Sequence, residues 1–254
     1  MLNRKIIREK QAKEWTEKMQ QDYAEEIQQC IKNTIVYDGN IDVEREDETS
    51  GKKDTVLFAT DTVSALFDID DSCGKTAVLN FASYKHPGGG FIRGSMAQEE
   101  ALCHESFLYN VLNEFDTTFY EYNRMHSQHK GLYSDRMLYT PDVRFFHNGK
   151  TKTADVITCA APNRSVEQKY GNVSEEENRN ALSNRITFIF DAAEASHVDT
   201  LILGAYGCGV FKQNPKEVAC AFRILSRGKY HFKKLIFAVP DETSDNYTQM
   251  KKWL

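Results

Sequence analysis

Three consecutive glycines, Gly88-Gly89-Gly90, are separated from Gln98-Glu99-Glu100 by seven residues. Glycine N–H groups are unshielded by side chains, and glycine reaches the φ > 0 conformations that let such groups converge on an anion. Two adjacent carboxyls just beyond such a cradle suit cleavage of a glycosidic bond beside a diphosphate. One carboxyl can protonate the departing oxygen and then take a proton from the attacking water. Acidic residues in a first helical turn also complement the helix dipole without doing any chemistry. The glycine run ahead of Glu99 and Glu100 is what favours the chemical reading.

Ser95 lies three residues before Gln98, the S-x-x-Q form of a capping box, which predicts a helix beginning at Met96 with its N-terminus facing the glycine loop. Ala97, Ala101, Leu108, Val111 and Leu112 supply its apolar stripe. On this register Gln98 is the N3 residue of the cap, a positioning group. A second glycine loop, Gly204-Ala205-Tyr206-Gly207-Cys208-Gly209-Val210-Phe211, follows the apolar run Leu201-Ile202-Leu203. It leads into Asn214-Pro215-Lys216-Glu217, an N-cap with Pro at N1 and Glu at N3. Ligands of open α/β sheets bind beyond the carboxyl ends of strands, so the two loops are expected to form opposite walls of one cleft.

The elements that must carry these loops are legible as alternating runs. Ile7, Trp15, Met19, Tyr23 and Ile27 predict one long amphipathic helix from about Arg4 to Cys30. Short β-rich runs follow at Thr34–Tyr37, Val56–Ala59, Ala77–Phe81, Val156–Cys159, Leu201–Leu203 and Leu235–Val239, apolar enough to be covered on both faces. Helical stretches at Glu175–Ser196 and Pro215–Ser226 separate the later strands, which predicts βαβ connections and a parallel or mixed sheet in a three-layer α/β/α sandwich. Thr117–Asn148 is an irregular excursion with Val143–Phe146 as a strand, and Asp42–Lys53 reads as a surface loop. With 254 residues, 41% of them apolar, and no linker or repeat, the chain reads as a single domain, 1–254, with 1–32 as an N-terminal helical extension.

Composition narrows the classes. The net charge of −5 argues against a broad face for duplex nucleic acid, and no apolar run is long enough for a membrane span. Met1-Leu2-Asn3-Arg4-Lys5 leads into charged helix, so a cytoplasmic protein is expected. Cys30, Cys73, Cys103, Cys159, Cys208 and Cys220 form no CxxC pair, so neither a zinc knuckle nor a disulfide framework is expected. His86 and His104 flank the glycine-acid element without metal-ligand spacing. Cys208 sits where a helix N-terminus could activate a thiol, yet reads better as a small packing residue. Phe211, by type alone, is a core aromatic. There is no G-x-x-x-x-G-K-[ST] run, and Gly207-Cys208-Gly209 lacks the third glycine of a dinucleotide fingerprint.

Val78-Leu79-Asn80-Phe81-Ala82-Ser83, His86-Pro87-Gly88-Gly89-Gly90, Gln98-Glu99-Glu100, Ala160-Ala161-Pro162-Asn163 and the loop Gly204–Phe211 together resemble the compact bacterial-type poly(ADP-ribose) glycohydrolases. The resemblance covers most of the chain, and its glycine triplet, short spacer and QEE match that family's signature. It implies a macrodomain fold holding ADP-ribose, with the diphosphate between the two glycine loops. Glu100 would be the catalytic acid/base and Glu99 would fix the ribose hydroxyls. Asn80, Ala82, Gly88, Gly89, Gly90, Gln98, Gly207, Cys208, Gly209 and Val210 would complete the ligand site, and Phe211 would pack on the ribose. Thr60 and Asp61 are candidates for the adenine end. The implied substrate is poly(ADP-ribose) or an ADP-ribosylated macromolecule, the product ADP-ribose, and neither metal nor cofactor is called for. Two relatives of this reading stay open here: a hydrolase of single ADP-ribose units on protein or nucleobase, and a non-catalytic reader, which would not need paired carboxylates.

Overall fold

A computed structural model of the chain describes residues 2–43, 53–126, 131–166, 173–228 and 230–254. Most of the expected surface loop Asp42–Lys53 lies outside them. The elements run α1 (Leu2–Asp22), α2 (Ala24–Asn33), β1 (Ile35–Asp38), β2 (Asp54–Phe58), α3 (Thr62–Asp68), β3 (Thr76–Phe81), α4 (Gln98–His104) and α5 (Leu108–Glu114). A π-helical turn, Asp116–Glu121, precedes α6 (Tyr122–Met125), β4 (Arg136–His147), β5 (Lys150–Cys159), α7 (Glu175–Ala195), β6 (Thr200–Leu203), α8 (Pro215–Leu225), β7 (Lys234–Ala238) and α9 (Asp245–Trp253).

Among the described residues the strands form one seven-stranded sheet in the order β1-β4-β5-β3-β6-β7-β2. β5, β3, β6, β7 and β2 are parallel, while β1 and β4 pair antiparallel, so the sheet is mixed. Alternation along the central strand divides the core. Ala77 and Leu79 of β3 face one cluster with Ile186, Ile189 and Phe190 of α7 and Val218 and Phe222 of α8. Val78 faces the other, with Val63 and Leu66 of α3, Leu102 of α4, Val111 of α5 and Met19 and Ile27 of the N-terminal helices. Two cores on one sheet give the α/β/α plan.

The expected single helix from Arg4 to Cys30 is two. The chain breaks at Tyr23 (φ −132°, ψ 27°), whose ring packs against Phe107 and Phe146. The buried stripe begins at Ala12 rather than at Ile7, which is 49% exposed. The stripe from Ala97 to Leu112 is also divided, because Ser106 bridges Phe145 of β4 and the Glu105 carbonyl accepts the Phe146 N–H.

The excursion Thr117–Asn148 contains a far longer strand than Val143–Phe146. β4 has twelve residues and its register shifts between Thr140 and Val143. Pro141 and Asp142 (φ +57°) occupy that bulge, and β1 pairs only up to Tyr139, so the missing proline donor costs no ladder bond. A Pro-Asp pair inside a strand is the breaker that hid it.

Candidate active site

α4 begins at Gln98, two residues later than its sequence predicts. Its cap is made by Glu100, not Ser95: Oε2 of Glu100 accepts the Ala97 N–H at 2.8 Å and Oε1 accepts the Gly90 N–H at 2.7 Å. Gln98 is therefore the first helical residue rather than N3. Its Oε1 accepts the Phe81 N–H at 2.9 Å, and its Nε2 donates to the Leu79 carbonyl at 2.9 Å and to Thr62 Oγ1 at 3.2 Å. The side chain rivets the start of α4 to the carboxyl end of β3.

Glu99 lies against the same strand end. Its Oε2 accepts the Ser83 N–H at 2.7 Å, and its Oε1 accepts from Asn80 Nδ2 at 3.3 Å, which also donates to Thr158 Oγ1. The two carboxyls are 4% and 7% exposed, so each has exchanged water for protein donors. Burial pushes Glu99 up to about 8, against its hydrogen bonds from Ser83 and Asn80, and the neighbouring Glu100 charge adds to the rise. Burial thus favours the protonated form of Glu99 over the charged one.

That proton links to stability. The folded-state pKa lies above the unfolded value of 4.5, so the folded form binds the extra proton between 4.5 and about 8. This contribution is full below pH 4.5 and is lost as pH rises through about 8. We expect Glu99→Gln to abolish this fall, worth roughly 3–5 kcal/mol at full ionisation. Urea unfolding at pH 5, 7 and 9 checks it; parallel curves for the two proteins would refute the assignment.

Gly89 has φ +61°, and a Cβ there would lie 2.7 Å from Glu100 Oε1 and 2.8 Å from Glu99 Oε2. Glycine is needed both for the backbone and for the approach of two carboxyls. The triplet is a carboxyl holder more than an anion cradle: Gly89 donates to the His86 carbonyl and Gly90 to Glu100. Of the three N–H groups only that of Gly88 has no acceptor among the described residues.

The second loop is built differently. The N–H groups of Gly207, Gly209, Val210 and Phe211 find no acceptor among the described residues. Gly207 (φ +73°) presses on Ala161, where a Cβ would come within 2.7 Å of the alanine methyl. Tyr206, fully buried, donates to the Cys159 carbonyl at 3.1 Å and fixes the loop over β5. α8 follows with Asn214 as N-cap, its Oδ1 accepting the Lys216 N–H, as expected.

A cleft of about 550 Å³ opens at the carboxyl ends of the parallel strands. Phe81, Met96, Ala97, Gln98 and Ala101 form one side; Ala205, Tyr206, Gly207, Gly209, Val210 and Phe211 form the other. Glu99 and Glu100 fall in the chain between lining residues Gln98 and Ala101, at the margin of the cleft. The glycine triplet does not itself line it; the segment that follows does, because the triplet is turned in toward the carboxyls. Asp61 lines it while capping α3 through the Ser64 N–H, and Thr60 does not. Asn80 and Ala82 are buried behind the wall. The Cys208 thiol is pushed up to about 12, first by burial and then by the Asp245 charge, so it is no nucleophile at neutral pH.

Sequence reasoning missed Ala161, Met96 and the segment after β7, where Val239, Pro240, Asp241, Ser244 and Asn246 close the cleft. The strand-end rule applied to β7 as well as to β3 and β6 would have found that segment. His86 and His104 are each held below the usual histidine range, chiefly by burial. Among the described residues no group of three or more His, Cys, Asp or Glu is arranged to hold a metal, and no helix is long and apolar enough to cross a membrane.

The family model of the microbial-type PARG catalytic domain matches residues 5–148. Among solved structures, the chain is similar to poly(ADP-ribose) glycohydrolase from Thermomonospora curvata bound to the inhibitor ADP-HPD, at 28% identity over 98% of this chain and 99% of that one, with a TM-score of 0.82. It is also similar to the glycohydrolase from Deinococcus radiodurans in complex with ADP-ribose, at 27% identity over 90% of this chain and 96% of that one, with a TM-score of 0.77. No curated protein matches in sequence. With a carboxyl pair buried beside a strand-end cleft, and with a family model that spans more than half its length, the chain belongs to the microbial-type poly(ADP-ribose) glycohydrolase (PARG) catalytic-domain family.

Proposed function

We propose that this protein hydrolyses the ribose–ribose O-glycosidic bonds of poly(ADP-ribose) and releases ADP-ribose. The observation that carries the reading is the buried pair Glu99 and Glu100, each held by two hydrogen bonds at the margin of a cleft whose far side offers backbone amides with no acceptor among the described residues. Glu100 protonates the departing ribose oxygen as the anomeric carbon gains oxocarbenium character. It then takes a proton from the water that attacks that carbon, so one carboxyl serves twice and leaves the cycle unchanged. Burial favours the protonated form of Glu99, which can donate to a ribose oxygen as well as accept, and this suits a group that fixes sugar hydroxyls.

The amides of Gly207, Gly209, Val210 and Phe211 take the pyrophosphate, helped by the N-terminus of α8. The Phe211 ring packs on the adjoining ribose. Gln98, tied to three groups of β3 and α3, holds the start of α4 in place. Asp61 and the segment from Pro240 to Asn246 leave the remaining end of the cleft for the adenine. Residues 1–254 act as one unit on which 1–32 pack, and the six unpaired cysteines suit a reducing, cytoplasmic setting.

Incubation with defined poly(ADP-ribose) tests the reaction. Monomeric ADP-ribose as the main product supports it, and intact polymer would leave only a reader. Release of ADP-ribose from mono-modified protein but not from polymer would move the activity to the single-unit hydrolases, which share the carboxyl but not the leaving group.

A further inference from the structure

Tyr133 joins the two sides of the cleft without lining it. Its ring stacks on Tyr84 with centroids 4.1 Å apart and planes 8° from parallel, and meets the Phe211 ring edge-on at 6.1 Å. Tyr84 directly follows Ser83, whose N–H holds Glu99 at 2.7 Å. Tyr84 is itself fixed: Asn123 Nδ2 donates to its carbonyl at 2.9 Å, and its hydroxyl lies 2.6 Å from Ser134 Oγ. On the other side Asn163 Nδ2 donates to the Tyr133 hydroxyl at 3.4 Å, Ser165 Oγ donates to Asn163 Oδ1 at 2.6 Å, and the Ser165 N–H donates to the Phe211 carbonyl at 3.1 Å.

Tyr133 is held in a conformation that tyrosine seldom adopts, φ +61°. The fully buried Arg185 over-determines it, donating to the Leu132 and Tyr133 carbonyls, to Asp135 and to the Ala160 carbonyl. Ala160 begins the loop on which Gly207 rests through Ala161. A left-handed tyrosine pinned by a buried guanidinium would be a costly way to fill space. Its placement makes sense if the separation of the two loops has to be fixed.

We propose that Tyr133 is a positioning residue that sets the distance between the loop holding Glu99 and the loop carrying Phe211, through its ring rather than its hydroxyl. The proposal rests on the glycohydrolase reading given above. A ligand gripped by the second loop would then present its anomeric carbon to the carboxyl pair at one fixed reach, and displacement by about 1 Å can cost on the order of a hundredfold in rate.

The test compares Tyr133→Phe with Tyr133→Asn, since asparagine tolerates the left-handed backbone but lacks the ring. We expect Tyr133→Asn to lower kcat on polymer by about 10–100-fold with KM changed less than about threefold, and Tyr133→Phe to stay within about threefold of wild type. Amide exchange at Ser83, read by NMR, should quicken at least about tenfold in the asparagine variant and stay near wild type in the phenylalanine variant. Equal kcat in all three proteins, or unchanged exchange in Tyr133→Asn, would overturn the bridge. Polymer left intact by the wild-type protein would instead sink the glycohydrolase reading, while the exchange comparison would still decide for or against the bridge.

Discussion

Glu100→Gln is expected to lower kcat on poly(ADP-ribose) by about 10²–10⁴-fold, the range lost when a general acid/base is removed. Affinity for ADP-ribose, measured by calorimetry, should change by less than about threefold, because the amides proposed to take the pyrophosphate lie on the other loop. The substitution is not silent for the fold. Both oxygens of Glu100 accept backbone N–H groups, from Gly90 and Ala97, and glutamine offers one oxygen and one donor in their place. One N–H is left facing an NH2, which costs about 1–3 kcal/mol and lowers Tm by a few degrees. Wild-type turnover in a folded Glu100→Gln protein would remove Glu100 from the chemistry. A variant that has lost both turnover and ADP-ribose binding would point to collapse of the loop instead.

Gly89→Ala should be nearly as damaging, for a different reason. Alanine pays for the left-handed backbone, about 1 kcal/mol, and its Cβ would lie within 2.8 Å of oxygens of both Glu99 and Glu100. Relieving that overlap moves the carboxyls or the loop, adding about 1–3 kcal/mol and misplacing the reacting groups, so a loss of on the order of a hundredfold in kcat is expected. Gly149→Ala is the control. It has φ +75° with nothing within 4 Å of a would-be Cβ, so it carries the backbone cost alone. Thermal unfolding and turnover of the two variants side by side separate backbone strain from displacement of the carboxyls. Equal effects at both positions would mean that close approach to the carboxyls is not what Gly89 serves.

The hidden parts of the site share a cause. Ser95 and Gln98 offer a capping pattern two residues ahead of the true start of α4, whose cap comes from Glu100 reaching back to Ala97. The Pro141-Asp142 bulge breaks the local strand pattern of β4, a strand that its partners nonetheless hold together. Tyr133 sits in a stretch with no period, and only its stacking on Tyr84 and its contact with Phe211 give it meaning.

By itself the sequence determined what is local: apolar runs that had to be covered strands, the Asn214-Pro215 helix start, and glycine followed at fixed spacing by two acids, which restricts the chemistry to a few classes. It also carried the family, because glycines at close approaches and acids at a strand end tolerate few alternatives. The tertiary structure decided how those groups are used. It turned the glycine triplet inward onto the carboxyls, left to the second loop the amides that find no acceptor among the described residues, and raised the pKa of Glu99 by burying it. Those outcomes depend on burial and on contacts between residues remote in the chain, and neither quantity exists until the sheet has brought its strand ends together.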